Sequence, residues 1–276
     1  MIIKNIVKKI FAEGYYVHNY VLNKKKCDNY IKAIKKIQNK IKKNSNFKDE
    51  RSDQGQEIIR DLILRDPDVF LNLIDNIVVI QVLNEIFKDK FILDNCMASN
   101  SVNVKNAYSG LVHIDSHLSC NLNNNTSDVV ILFCLEDFTK DNGATKIWPG
   151  SHLSGVRIQN SKNYKKLVKK KYKYAEAKKG SIIFFLGQTW HQIGKNISKK
   201  SRWGILCHYK RWWIKPSTDY TKCGASIYGK LNQVQKELFG FNSISPKFNL
   251  KKQIRTLKTL RDSSKLSQKY KEVIQY

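Results

Sequence analysis

Apolar positions in the first ninety residues recur at threes and fours, and from Phe91 onward they collapse into short alternating or continuous runs. Ile2 to Phe11 carries the helical spacing, and Gly14 ends it. Tyr15 to Val21 is aromatic and β-branched, which predicts a strand. Asn23 is placed to cap a helix. Behind it Cys27, Tyr30, Ile31, Ile34, Ile37 and Ile41 line one face of an amphipathic helix reaching about Lys43, with lysines on the solvated face. Residues 44–56 are polar and read as a loop. Pro67 stands where a helix tolerates a missing N–H, at its first turn. Phe70, Leu71, Leu73 and Ile74 follow, then a helical stretch from Val78 to Phe87.

The second half predicts strands. Phe91 to Leu93, Ser101 to Val104, Leu111 to Asp115, Val129 to Leu135, Thr145 to Trp148, Gly180 to Leu186 and Ser201 to Tyr209 are the candidates. Val129 to Leu135 is apolar throughout, as a central strand is. Lys140-Asp141-Asn142-Gly143 is a turn, and the basic segment 162–174 reads as a loop or surface helix. Several short strands at this spacing predict a sandwich or barrel, so the fold class is mainly β. After Pro216 helical character returns in Lys230 to Leu238 and Gln253 to Leu260. With no internal repeat and no Gly/Ser linker, the reading is one domain over 1–276. It has helical support in 1–90, a β core in about 91–215 and a helical tail in 216–276.

Composition adds a strong charge. The 276 residues carry a formal net charge of +27, which favours anionic partners: nucleic acid, acidic membrane, or phosphorylated and carboxylated substrates. Much of the excess lies in lysine runs such as Lys24-Lys25-Lys26 and Lys169-Lys170-Lys171, and the richness in Lys, Asn and Ile is that of an AT-rich genome. A hydrophobic fraction of 41% is enough for a sizeable core. The six cysteines, Cys27, Cys96, Cys120, Cys134, Cys207 and Cys223, form no C-x-x-C pair. A thiolate zinc site is therefore disfavoured, and the pattern suits a reducing compartment. The longest apolar runs are strand-length, far below the roughly 20 residues of a spanning helix. No signal-peptide core is visible, so the expected location is cytoplasmic.

Candidate chemistry concentrates between His113 and Arg202. On a strand, residues i and i+2 share a face, so His113 and Asp115 point together and Ile114 points away. Such a His-x-Asp pair occurs by chance as well. A third donor from a neighbouring strand, His191, would complete two histidines and one carboxylate, the set that non-haem Fe(II) oxygenases use. Arg202 follows on the next strand. Its planar guanidinium suits the far carboxylate of 2-oxoglutarate, although an arginine also commonly pairs with a surface carboxylate. His117 reads as a surface residue, His152 as structural, and His208, on an apolar strand, as a core histidine. Trp148, Trp190 and Trp203 are candidates either for a pocket wall or for core packing.

Taken together these residues resemble the phytanoyl-CoA dioxygenase family of Fe(II)- and 2-oxoglutarate-dependent oxygenases. The match comprises His113-x-Asp115, Asn142-Gly143-x-Thr145, Pro149-Gly150-Ser151-His152, Lys179-Gly180-Ser181-Ile182-Ile183-Phe184-Phe185, His191, Gly194-Lys195-Asn196, Arg202 and Cys207-His208-Tyr209. It covers most of residues 10–240 and is densest over 111–216. The resemblance implies a double-stranded β-helix, or jelly roll, with helices outside. It implies His113, Asp115 and His191 as iron ligands, Arg202 as the 2-oxoglutarate anchor, and Thr145 in the same pocket. Asn196 would fix the loop after His191. The reaction implied is hydroxylation of an aliphatic C–H in a small-molecule substrate, with succinate and CO2 released. The carboxylate at 115 argues for hydroxylation, since related halogenases carry a small residue there.

Two positions depart from the family pattern. Gly110 stands where a polar residue is common, and Ile193 where some members have a hydroxyl. Tyr108, Ser109 or Asn100 are the candidates to supply the missing hydrogen bond. The rival readings are a nucleic-acid demethylase of the same chemistry, which the charge would suit, and a non-catalytic cupin-like module binding sugar or polyanion. The basic surface points weakly to an anionic substrate.

Overall fold

The computed structural model describes residues 2–43, 55–103, 110–118 and 126–243. Two antiparallel sheets face each other, and helices cover the outer side of the larger one. The helices before the β core are α1 (Ile2–Glu13), α2 (Lys24–Lys43), α3 (Leu62–Arg65), α4 (Pro67–Ile74) and α5 (Ile77–Phe87). The strands are β1 (Tyr15–His18), β2 (Gln56–Ile59), β3 (Phe91–Ser101), β4 (Asp128–Cys134), β5 (Lys146–Ile147), β6 (Lys173–Tyr174), β7 (Ile182–Leu186), β8 (His191–Gln192) and β9 (Arg202–Arg211). Three short α-helices follow among the described residues, α6 (Tyr164–Leu167), α7 (Ala225–Tyr228) and α8 (Gln233–Leu238). The major sheet runs β1-β7-β4-β9-β3-β2 and the minor sheet β6-β5-β8. This is a jelly roll.

Local chemistry sets the helix starts as expected. Asn23 Oδ1 accepts from Lys26 N at 2.8 Å, Pro67 opens α4, and Asn76 caps α5 through Val78 N and Val79 N. α4 and α5, bent by 46°, bury their apolar faces in the core; among the described residues no single helix is long and apolar enough to cross a membrane.

The strands obey period-two alternation. Val129, Ile131 and Phe133 of β4 face the helices with Ile182, Phe184 and Leu186 of β7 and Trp203, Ile205 and Cys207 of β9. The residues between them, Val130, Leu132, Cys134, Ile183 and Phe185, face the minor sheet and pack on Phe138, Ile147 and Ala175. β4 is buried at all seven positions because both of its faces are covered. Cys27, Cys96, Cys134 and Cys207 are buried thiols, as an apolar core role requires. Cys120 lies outside the described residues.

Three expectations change. The segment before residue 90 supplies a second strand besides the one expected from Tyr15: β2 joins β1 as the other edge of the major sheet. Phe91 and Ser101 are the ends of one eleven-residue strand, β3. Its polar middle is accommodated by a register shift between Leu93 and Asn95 and by a buried ion pair from Asp94 to Lys210 Nζ at 3.0 Å. Leu111 to Asp115 pairs only through one bridge, His113 with His191. The anticipated helix at 253–260 and the C-terminal part of the tail lie outside the described residues.

Candidate functional site

A cavity of about 420 Å³ opens between the sheets, and His113, Asp115, Thr145, His191 and Arg202 all line it. Its inner wall is the alternate face of the major sheet. Met97 and Ser99 of β3, Leu132 of β4, Phe185 of β7, and Leu206 and His208 of β9 contribute to it. The sheet side that faces away from the helices therefore becomes the site.

His113 and His191 are cross-strand neighbours. His113 N donates to His191 O and His191 N to His113 O, both at 3.0 Å. Each imidazole directs Nδ1 at a backbone carbonyl, Leu111 O and Thr189 O, both at 2.9 Å. A carbonyl only accepts, so Nδ1 carries the hydrogen and the neutral ring presents a lone pair at Nε2. Those Nε2 atoms lie 3.6 Å and 3.4 Å from the two oxygens of Asp115. One donor atom from each of the three residues lies within 4.8 Å of the others. Ligands adjacent on a metal at about 2.1 Å stand roughly 3 Å apart, so small rotations close the set. Fixed tautomers with converging lone pairs are what a metal site needs.

Electrostatics agree. Burial would raise the Asp115 carboxyl, but His191 and His113 outweigh it and hold it well below the usual range. Burial lowers the His191 pKa to about 4. The carboxylate is therefore ionised and the His191 ring neutral at pH 7. His113 is the more exposed histidine, at 41% of its side chain against 8% for His191, so the solvent side of the triad is the His113 side.

Side chains hold the short segment that bears His113 and Asp115. Gln159 brackets Ile114, accepting from its N at 3.2 Å and donating to its O at 3.1 Å. Tyr164 Oη accepts from Val112 N at 2.8 Å. These bonds replace a strand neighbour, which is why one bridge suffices. Ile114 and Val112 meanwhile pack with Trp148, Ile158 and Trp190. Beneath Asp115, its N and that of Ser116 both donate to Gly187 O at 3.0 Å. Gly187 has to be glycine, since Asp128 Oδ1 fills the space a Cβ would take. Burial raises the Asp128 pKa, against the Ser127 hydroxyl that donates to it at 2.5 Å.

Arg202 lies deep in the cavity at 2% exposure. Its guanidinium stacks 3.8 Å from the Phe138 ring centre, and Nη2 donates to Gly143 O at 2.8 Å. Nε is buried without a partner. Burial lowers its pKa to about 10, which leaves it charged at neutral pH. No surface carboxylate pairs with it among the described residues. A buried, stacked cation with an unused N–H fits a carboxylate ligand. The turn at Asn142-Gly143 presents the carbonyl that orients it. Asn196 ties the following loop, donating to Ser101 O and Lys200 O at 2.9 Å and accepting from Ser198 N.

Other candidates separate cleanly. His117 is exposed. His152 Nε2 donates to Phe11 O at 2.9 Å and joins the turn to α1. Trp203 packs under the helices and Trp148 and Trp190 in the cluster behind Ile114, so all three are core. Asn100 donates to Glu57 Oε2 at 2.8 Å and is paired across the sheet with Trp203 on the helix-facing side. It therefore offers nothing to the cavity. Tyr108 and Ser109 lie outside the described residues. His208 is the correction: it lines the cavity, and its Nε2 is buried without a partner.

Solved structures with this fold include the epimerase SnoN in complex with Fe3+, alpha ketoglutarate and nogalamycin RO. It is 13% identical, covers 84% of this chain and 91% of its own, and has a TM-score of 0.62. HygX from Streptomyces hygroscopicus with nickel and 2-oxoglutarate bound is 11% identical over 77% of this chain and 88% of its own, at 0.61. The carbocyclase SnoK from nogalamycin biosynthesis is 16% identical over 75% and 83%, at 0.60. An uncharacterized protein of Mycobacterium tuberculosis is 31% identical over 96 residues, 35% of this chain and 33% of the relative. Dioxygenase cdmA of Talaromyces verruculosus is 32% identical over 88 residues, 29% and 27%. This chain thus spans about a third of the length of the curated relatives it matches. The profile described as Phytanoyl-CoA dioxygenase (PhyH) matches residues 11–204, from the end of α1 to the start of β9, and the chain belongs to that family.

Proposed function

We propose that this chain is an Fe(II)- and 2-oxoglutarate-dependent dioxygenase that hydroxylates an aliphatic C–H of a small-molecule substrate within a single catalytic domain. The observation that carries the reading is one cavity holding a three-donor His/Asp/His cluster and a buried arginine whose Nε–H has no partner. Iron binding and 2-oxoglutarate binding in structures of the same fold support it.

His113, Asp115 and His191 would hold the metal, and Arg202 the distal carboxylate of 2-oxoglutarate, with Thr145 beside it. With a metal and 2-oxoglutarate held there, dioxygen would be the oxidant: one of its atoms would enter succinate as CO2 is lost, and the other would go to the substrate C–H. The chain supplies orientation and a dry wall. The bridge between His113 and His191 sets the two imidazoles. The Phe138 ring and Gly143 carbonyl set the guanidinium plane. Leu132, Phe185 and Leu206 exclude water around the reacting atoms.

The basic charge is not expressed in the cavity. Its lining contains no lysine among the described residues, and Arg202 is its one cation. Ile58, Met97, Leu111 and Ile193 give an apolar wall, and the Gln56 amide donates to Ser99 Oγ at 3.0 Å. This favours an uncharged, largely apolar substrate with one polar handle over the anionic one that the net charge suggests. Hygromycin B bound to HygX and nogalamycin RO bound to SnoN support a small molecule. The reaction outcome is the finer part of the proposal, because the same fold serves an epimerase and a carbocyclase.

The test is succinate formation from 2-oxoglutarate under oxygen, screened over a metabolite library of neutral and acidic compounds. Substrate-stimulated succinate with a product 16 mass units heavier supports hydroxylation. Stimulation with a product two mass units lighter, or unchanged in mass, moves the reading to cyclisation or epimerisation.

A further inference from the structure

The co-substrate pocket has an anchor at one end and no hydrogen-bond donor where Gly110 and Ile193 stand, both of which line the cavity. His208 lines the same cavity. It is 8% exposed, and its Nε2 is buried without a partner. Its cross-strand neighbour Asn95 does not relieve it, since the Asn95 amide donates to Asp94 at 2.9 Å and its Oδ1 is also unpaired. A buried ring nitrogen without a partner is costly to a fold, so such an atom calls for a bound ligand or an ordered water.

Position along β9 says which end of the ligand it meets. Arg202 and His208 lie on one strand, six residues apart and therefore on one face. Their backbones are roughly 20 Å apart at about 3.3 Å per residue. One atom cannot be held by both, so a five-carbon diacid that meets both does so at opposite ends, with the two side chains reaching along the strand to cover the rest of the span. His208 pairs with Val130 of β4, two residues from Asp128, whose carbonyl accepts from Gly187 N, and Gly187 O accepts from Asp115 N. It therefore stands at the metal end. We propose that the His208 ring donates a hydrogen bond to the 2-oxo-acid end of 2-oxoglutarate, while Arg202 takes the distal carboxylate. This rests on the proposed function and fills the gap left by Gly110 and Ile193.

The experiment is anaerobic calorimetry on the full chain loaded with Co(II), with 2-oxoglutarate and oxalate as probes. Oxalate keeps the chelating end and lacks the arm that reaches Arg202. His208→Phe is expected to weaken both probes by roughly ten- to a hundred-fold, the loss of one hydrogen bond to a charged group. His208→Gln, which keeps an N–H, is expected to recover most of that. Arg202→Met is expected to weaken 2-oxoglutarate and leave oxalate unchanged. Co(II) affinity, read from its visible absorption, stays at the wild-type value in both His208 variants. Unchanged binding in His208→Phe overturns the assignment, as does a loss confined to 2-oxoglutarate with oxalate unaffected. Loss of Co(II) in both His208 variants also overturns it, by giving the residue a role in the metal site. If the wild type binds neither probe, the proposed function falls as well; if it binds both and His208→Phe does too, only this inference falls.

Discussion

His113 and His191 exchange both of their backbone hydrogen bonds across a single antiparallel bridge, and their ring centres stand 4.3 Å apart. The spacing of the two imidazoles is thus set by main chain, and Asp115, two residues on, closes the set. His113→Ala or His191→Ala should lower Co(II) or Fe(II) affinity by at least about a hundred-fold, since a ligand matters more than the outer partners whose loss costs about 10–100-fold. The thermal midpoint without metal should change little for His113, which is the more exposed. Metal titration followed by absorption checks this. Wild-type affinity in either variant removes that residue from the metal set.

Gly143 links turn geometry to the Arg202 guanidinium. Its φ is +86°, and an added Cβ would collide with Ser101 Oγ and stand 2.8 Å from Gly194 O. Its carbonyl also orients Arg202. Gly143→Ala should destabilise the fold by about 1–3 kcal/mol and weaken 2-oxoglutarate binding, while metal affinity is retained. Denaturant unfolding and anaerobic calorimetry read the two effects separately.

The clustering of His113 and Asp115 was legible because alternation is a strict local rule: they share a face whatever the rest of the chain does, and Ile114 does pack in the opposite layer. Asn142-Gly143 and Pro149-Gly150 were legible because turns are coded by residue type. β3 was not read whole, because Asp94-Asn95 looks like a loop until Lys210 is found buried against Asp94. β2 was missed because Gln56 and Glu57 look like loop, and its partner in the sheet is more than forty residues away. His208 was misread because its flanks are apolar. Alternation puts Cys207 and Tyr209 in the helix-covered core and leaves His208 facing a cavity, and no local pattern separates a filled layer from an empty one. Gln159 and Tyr164 sit in a segment that reads as a basic loop, and their bonds to Ile114 and Val112 are nonlocal.

Gln159 replaces a missing strand neighbour. Gln159→Ala would leave Ile114 N and O without these partners, at a cost of about 1–3 kcal/mol. The ligand-bearing segment should loosen before the sheet does, so amide exchange at Val112–Asp115 should rise while β4 exchange is unchanged. Equal exchange in the variant and the wild type would show that the bracket is dispensable.

His152 gives the fold an acid sensitivity. Burial lowers its pKa from the ordinary 6.5, against the Phe11 carbonyl that its ring bonds. The unfolded chain takes up a proton below about pH 6.5 that the folded chain resists, so stability falls as pH drops from there to the lowered folded value. His152→Gln should flatten that part of the pH–stability curve, at some loss of stability near pH 8. Urea midpoints from pH 8 to pH 5 measure the slope. An unchanged slope in the variant would assign the acid loss to other groups.

The most direct measurement is an anaerobic titration of the full chain with Fe(II) and then 2-oxoglutarate, followed in the visible region. The wild type should develop a weak charge-transfer band saturating at one 2-oxoglutarate per chain. Arg202→Ala should shift saturation to much higher 2-oxoglutarate concentrations, and His113→Ala should lack the band. A wild type with no band and no Fe(II) affinity above that of His113→Ala would contradict the account.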